Sequence, residues 1–183
     1  VARKGRAVFE ITTSGKSAHA GSFHQAGANA IIQMADVVRE ITTYTNYPKQ
    51  LTVNVGTIVG GTVVNKVPDV CRAEVEIRAF DPEILEGGIS KIQRLDKYSS
   101  VSNAEKSYMC TTDVSMLRKT QGWPRNENTN KLLDYWQKAA QDLDVAINPE
   151  ERGGISDGNL VWQEIPTIDG LGPVGKNAHC SQR

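Results

Sequence analysis

The stretch "CRAEVEIRAFDPEILEGGISKIQRL", Cys71 to Leu95, changes its hydrophobic period midway, and that change decides the fold. In its first part Ala73, Val75 and Ile77 alternate with Glu74, Glu76 and Arg78. A period of two belongs to a strand with one buried and one wet face. Cys71 joins the buried set ambiguously and reads as a structural residue. From Asp81 the pattern becomes helical. Asp81 suits an N-cap and Pro82 the first helical position, while Gly87-Gly88 should weaken the helix.

The same strand-then-helix logic extends outward in both directions. Upstream, "RAVFEITTSG" alternates over Ala7, Phe9 and Ile11 and predicts a strand. Ala30, Ile31, Met34, Val37, Val38 and Ile41 recur at helical spacing, predicting an amphipathic helix from about residue 26 to 43, with Pro48 helping to end it. "LTVNVGTIVGG" reads as a second strand, and "TVVNKVPDV" as an extended connection whose Pro68 disfavours helix before it. Downstream, "KSYMCTTDVSML" reads as the last strand. Strand, helix, strand, strand, helix, strand is the split βαββαβ order of a ferredoxin-like α+β domain: four antiparallel strands with two helices on one face. It occupies residues 1–117.

After Met116 the character changes. "RKTQGWPRNENTN" is polar and turn-rich and reads as a linker, and "NKLLDYWQKAAQDL" as a strong amphipathic helix. The remainder is dense in Gly, Asp and Pro, as loops around sites often are. Residues 118–183 are too few to enclose a core of their own. They read as part of a second domain whose main body lies elsewhere.

Composition narrows the function classes. Among 183 residues, 21 basic and 21 acidic side chains cancel, which gives no bulk electrostatic case for nucleic acid or a membrane surface. No apolar run approaches the ~20 residues of a membrane span. Cys71, Cys110 and Cys180 form neither an even framework nor a CxxC pair, which favours a reducing, cytoplasmic compartment over a disulfide scaffold.

Three stretches carry candidate chemistry. "SGKSAHAG" sets His19 among small residues between a strand and a helix; taken alone, such a histidine is by default structural. "GGISDGN" places glycines beside Ser156 and Asp157, where exposed amides could receive an anion or simply turn the chain into a helix. "GLGPVGKNAHC" delivers His179 at the end of a glycine-rich loop. One histidine does not make a metal site, since zinc takes three or four ligands, and no HxxE or HxH partner is present.

Taken in order, "SGKSAHAG", "GANAI", "GTIVGGTVVNKVPD", "AEVEIR", "RGGISDGN" and "PTIDGLGPVGKNAHCS" resemble the M20 family of zinc-dependent peptidases and amidohydrolases, and the closing motif most resembles its carboxypeptidase G2 or glutamate carboxypeptidase branch. The resemblance implies a lid, or dimerisation, domain inserted into a catalytic α/β domain, followed here by the returning catalytic segment. The N-terminal catalytic half, with most metal ligands and the catalytic Glu, has no match in this sequence, so the resemblance implies that this chain alone is inactive. It implies that His19 polarises the scissile carbonyl of the partner subunit's substrate. It implies that Asn65 hydrogen-bonds substrate, that Arg78 grips its free carboxylate, that the Gly154 backbone meets that carboxylate, and that His179 is a ligand of one of two zinc ions. The implied substrate is a small peptide or N-acyl amino acid cleaved beside a free carboxylate, and the implied assembly is a homodimer through the lid. His24 matches no such position and reads as a surface or helix-start residue; from alternation alone Arg78 reads as a solvated outer-face charge. Two other readings stand beside the enzyme: a non-catalytic dimerisation and substrate-gating module, and a regulatory ligand-binding domain of similar fold, which leaves the glycine-rich tail unexplained.

Overall fold

The structure is a computed structural model and describes residues 1–172. Short β1 (Ala2–Arg3) leads into β2 (Gly5–Ser14); then come α1 (Ala30–Thr42), β3 (Thr52–Gly60), β4 (Val70–Ala79), α2 (Pro82–Gln93) and β5 (Thr111–Thr120). Helix α3 (Glu127–Gln141), β6 (Glu151–Arg152) and the short α4 (Gly158–Val161) complete it. The four long strands form one antiparallel sheet in the order β3-β4-β2-β5. This is the ferredoxin-like arrangement the sequence predicts.

Alternation explains the two layers. Ala7, Phe9 and Ile11 of β2 and Ala73, Val75 and Ile77 of β4 face inward, and all are buried. They pack against Met34, Val37 and Ile41 of α1 and Leu85, Ile89 and Ile92 of α2 in a single cluster. Cys71 sits within the cluster as a free thiol. Glu74, Glu76 and Arg78 take the opposite face, where no helix among the described residues covers them.

Several local expectations shift. Helix α1 begins at Ala30, because the Asn29 side chain caps it by accepting from the amides of Ile31 (2.9 Å) and Ile32 (3.2 Å). Residues His24–Ala26 form a separate 3-10 turn. Ile31, assigned to the apolar stripe, is exposed, whereas Gln33 is fully buried and bonds the Thr112 hydroxyl and the Ser100 and Val101 amides. Gly88 is a packing requirement more than a weakness, since a Cβ there would stand 2.3 Å from Ile77 Cδ1.

The presumed linker also differs. Strand β5 continues to Thr120, and Trp123 is completely buried. Its backbone exchanges bonds with Arg3 (2.8 and 3.0 Å), and its indole N–H donates to the Thr129 hydroxyl at 3.3 Å. Polar, turn-rich composition hid one large apolar anchor. Strand β6 pairs in parallel with β1, so the C-terminal segment returns to the chain's beginning.

Candidate active site

The candidate residues gather at the two ends of the sheet. At one end, β2 closes at Ser14 opposite Val70, where β4 begins. Beyond this pair the two chains stay together: the Val67 amide donates to the Ala18 carbonyl and the Ala20 amide to the Asn65 carbonyl, both at 2.9 Å. His19 is thereby bridged to Lys66, with Asn65 next along the chain. Lys66 is held in turn by Asp69 at 3.0 and 3.2 Å.

The His19 ring is oriented by its own turn. Nδ1 accepts from the amides of Gly21 (3.2 Å) and Ser22 (3.0 Å). A neutral imidazole whose Nδ1 accepts carries its proton on Nε2. His19 therefore presents an Nε2–H donor from an exposed loop. A Cβ at Gly21 would make only ordinary contact with the His19 ring, 3.4 Å from Cε1, so the turn does not depend on glycine there. Beside the loop lies an open cleft of about 510 Å³, whose lining includes Ala20, His24, Gly61, Val64 and Lys66. His24, unassigned from the sequence, thus borders the same cleft.

At the other end, Arg6 of β2 stands opposite Arg78 of β4. Arg78 donates from Nε to Glu76 Oε1 at 2.7 Å and from Nη2 to Glu76 Oε2 at 2.9 Å, and Arg6 Nη1 lies 3.3 Å from Glu76 Oε2. Arg78 Nη1 also reaches across to the Gly153 carbonyl at 3.0 Å. The arginine read as a solvated charge is on the outer face, but it is paired. Glu76, which sequence reasoning passed over, carries the legible signal of sharing that face two residues away.

Gly154 lies in the same neighbourhood. Its carbonyl accepts from Arg3 Nη1 at 3.4 Å, while Arg3 Nη2 pairs with Asp169 at 2.8 Å. Positive charge is crowded here. Burial and then the nearby Arg78 charge hold the Lys4 ammonium below its ordinary range, and it sits 5.6 Å over the Phe80 ring. Burial alone would raise Asp169, yet its carboxyl is held below its ordinary 3.8. The neighbouring Ser156 hydroxyl, the Gly170 amide and Arg3 outweigh desolvation, although no aligned bond joins Ser156 Oγ to the carboxylate.

The two ends are far apart. Arg6 and Ser14 of β2 are separated by a span of roughly 25 Å at 3.3 Å per residue. His19 and Asn65 are brought together, as are Arg78 and Gly154, but the pairs do not share one pocket.

Among the described residues no three His, Cys, Asp or Glu side chains come together as a metal-holding group. The described residues therefore do not fit a zinc site by themselves. His179 and Cys180 lie outside the described residues. Burial pushes the thiols of Cys71 and Cys110 up, which makes both poor nucleophiles.

Four antiparallel strands under two helices make this a ferredoxin-like domain. Its family is narrower: the sequence model of the M20 peptidase dimerisation domain matches residues 1–97, and the chain belongs to that family. Over 181 residues it is 24% identical to carboxypeptidase G2 of Pseudomonas sp. strain RS-16, covering 96% of this chain and 41% of that protein. It is 25% identical over 186 residues to a succinyl-diaminopimelate desuccinylase of Cereibacter sphaeroides, covering 98% and 47%. The chain thus spans less than half the length of these relatives. Among solved structures, the aminopeptidase PepT of Bacillus cereus superposes with a TM-score of 0.68 at 22% identity, covering 91% of this chain and 43% of that one, and supports the fold.

Proposed function

We propose that this chain is the lid-bearing part of an M20-type hydrolase that cleaves an amide bond beside a free carboxylate, on a small peptide or N-acyl amino acid. One observation carries the reading: His19 presents an Nε2–H donor because two backbone amides occupy its Nδ1. Such a donor stabilises the oxyanion that forms when an amide carbonyl is attacked. Asn65, beside it, supplies a further polar contact to substrate. Arg78 and the Gly154 backbone receive the carboxylate at the other end, a role suited to a guanidinium.

The separation of the two ends supports a division of labour between subunits. His19 cannot reach a substrate held by Arg78 of its own chain, so it serves the partner's substrate in a homodimer. The exposed apolar side chains near His19 support such an assembly: Ile58 and Val59 on edge strand β3, with Val63, Val64 and Phe23. An uncovered apolar edge is a ready surface for pairing. Residues 118–183 form part of the catalytic domain. The two zinc ions belong with residues outside those described, to which His179 adds one ligand; when bound, zinc would supply an activated water.

The test is His19→Ala in the complete enzyme. A lost oxyanion donor should lower kcat on the order of a hundredfold. A kcat within a factor of about three of the native value would overturn the role. The exposed apolar edge also favours a second reading, in which the chain is a dimerisation and gating module without chemistry of its own. A full complement of hydrolytic activity in the isolated chain would exclude it.

A further inference from the structure

The pairing at the Arg78 end contains a residue that the proposed function does not use. Glu76 takes two N–H groups of Arg78, one on Nε and one on Nη2, with both of its own oxygens. The Gly153 carbonyl takes a third, on Nη1. A guanidinium has five N–H donors. Among the described residues one N–H on Nη1 and one on Nη2 have no partner, and the end of a guanidinium, where Nη1 and Nη2 lie side by side, suits one carboxylate. Arg6 braces the arrangement from the other side by approaching Glu76 Oε2 at 3.3 Å. Arg6 and Arg78 exceed Glu76 by one positive charge, and the Lys4 ammonium near Arg78 adds to it, so the site favours an incoming carboxylate.

We propose that Glu76 is the positioning residue of the carboxylate seat: by holding the side edge of Arg78, it presents the free end of the guanidinium to one carboxylate. This inference rests on the reading of Arg78 as a carboxylate binder. The side chains are partly exposed, 25% for Arg78 and 29% for Glu76, so an unrestrained guanidinium would sample many rotamers. Restraining a long side chain in advance removes an ordering cost from binding. Charge alone would favour the opposite arrangement, because a carboxylate beside Arg78 lowers the field an anion feels. Glu76 thus gives up some attraction and supplies orientation.

The test titrates N-acetylglycine, and separately N-acetylglycinamide, into the full chain while the Arg78 side-chain N–H signals are followed by NMR. The native chain should bind the acid and ignore the amide. Glu76→Gln keeps the size but replaces one acceptor oxygen by a donor that opposes Arg78. It should weaken binding of the acid about tenfold and shift the Arg78 Nε–H signal. Glu76→Asp, a carboxylate too short to span both donors, should lie between. On an Arg78→Ala background, Glu76→Gln should change nothing further. Acid binding lost in Arg78→Ala but unchanged in Glu76→Gln would overturn the positioning role and leave Arg78 as the binder. Failure of the native chain to prefer the acid would overturn the carboxylate seat itself. A Glu76→Gln chain that does not fold would show a structural role and overturn the proposal, unless Glu76→Asp folds with the expected intermediate affinity.

Discussion

The sheet domain and the segment after it solve different physical problems with similar amphipathic material. In the sheet domain, residues from Ala7 to Leu95 close one continuous core between sheet and helices. Beyond Thr120, Trp123, Leu133 and Ala140 are the buried apolar side chains among the described residues, while Tyr135, Trp136, Leu143, Val145, Leu160 and Ile165 are exposed. Helix α3 is capped at its N-terminus by Asn126, whose side chain accepts from the Thr129 amide at 2.9 Å. Capping makes a helix, but only a second apolar surface makes a core. The sheet domain brings both layers; the later segment brings one, and is tied down by Trp123 and the β1–β6 pair.

That contrast can be broken or sharpened by four substitutions. The largest effect should come from Phe9→Ala in the middle of the closed core, with a loss of about 3–5 kcal/mol by denaturant titration. A loss below about 1 kcal/mol would mean the core is not the close-packed unit described. Gly88→Val should follow, costing about 1–3 kcal/mol, because its side chain must displace Ile77 where helix and sheet touch.

The third concerns the seam between the two regions. Asp169 has a depressed carboxyl pKa in the folded chain, so its contribution is present above the ordinary 3.8 and is lost as pH falls through the lower folded value. Asp169→Asn should therefore lower the melting temperature modestly at neutral pH and have progressively less effect below 3.8. An effect that grows in acid would have the wrong sign. The smallest effect should be Leu160→Ser, within about 0.5 kcal/mol, because that side chain is exposed. A larger loss would show that the segment has more of a core than its surface suggests.

Much of the sheet domain was legible because alternation and helical spacing are local. Phe9 with Ile11, and Val75 with Ile77, announce their buried face without a partner in view. The cap at Asp81 was equally legible, since its side chain accepts from Glu83 two residues on. Asn29 was less so, because a nearby run of apolar residues extended the apparent helix backward. Trp123 was missed because its burial depends on Gly158, where a Cβ would stand 2.6 Å from the indole. No local pattern links positions so far apart.

The candidate site divides along the same line. Glu76 and Arg78 share a face by the period of the strand, so their pairing follows from sequence. The order of motifs also singled out His19, Asn65, Arg78, Gly154 and His179, of which His179 lies outside the described residues. The turn that puts Gly21 and Ser22 amides on His19 Nδ1, and so directs its proton to Nε2, needed the folded loop. The contact of Arg78 with the Gly153 carbonyl spans 75 positions and exists only because β6 returns to β1. The sequence by itself determined which residues could carry charge, donate or be buried, since those are properties of side chains and their local period. Tertiary structure alone decided that the imidazole and the guanidinium stand at opposite ends of one sheet, because strand order and register are set by the packing of both layers at once.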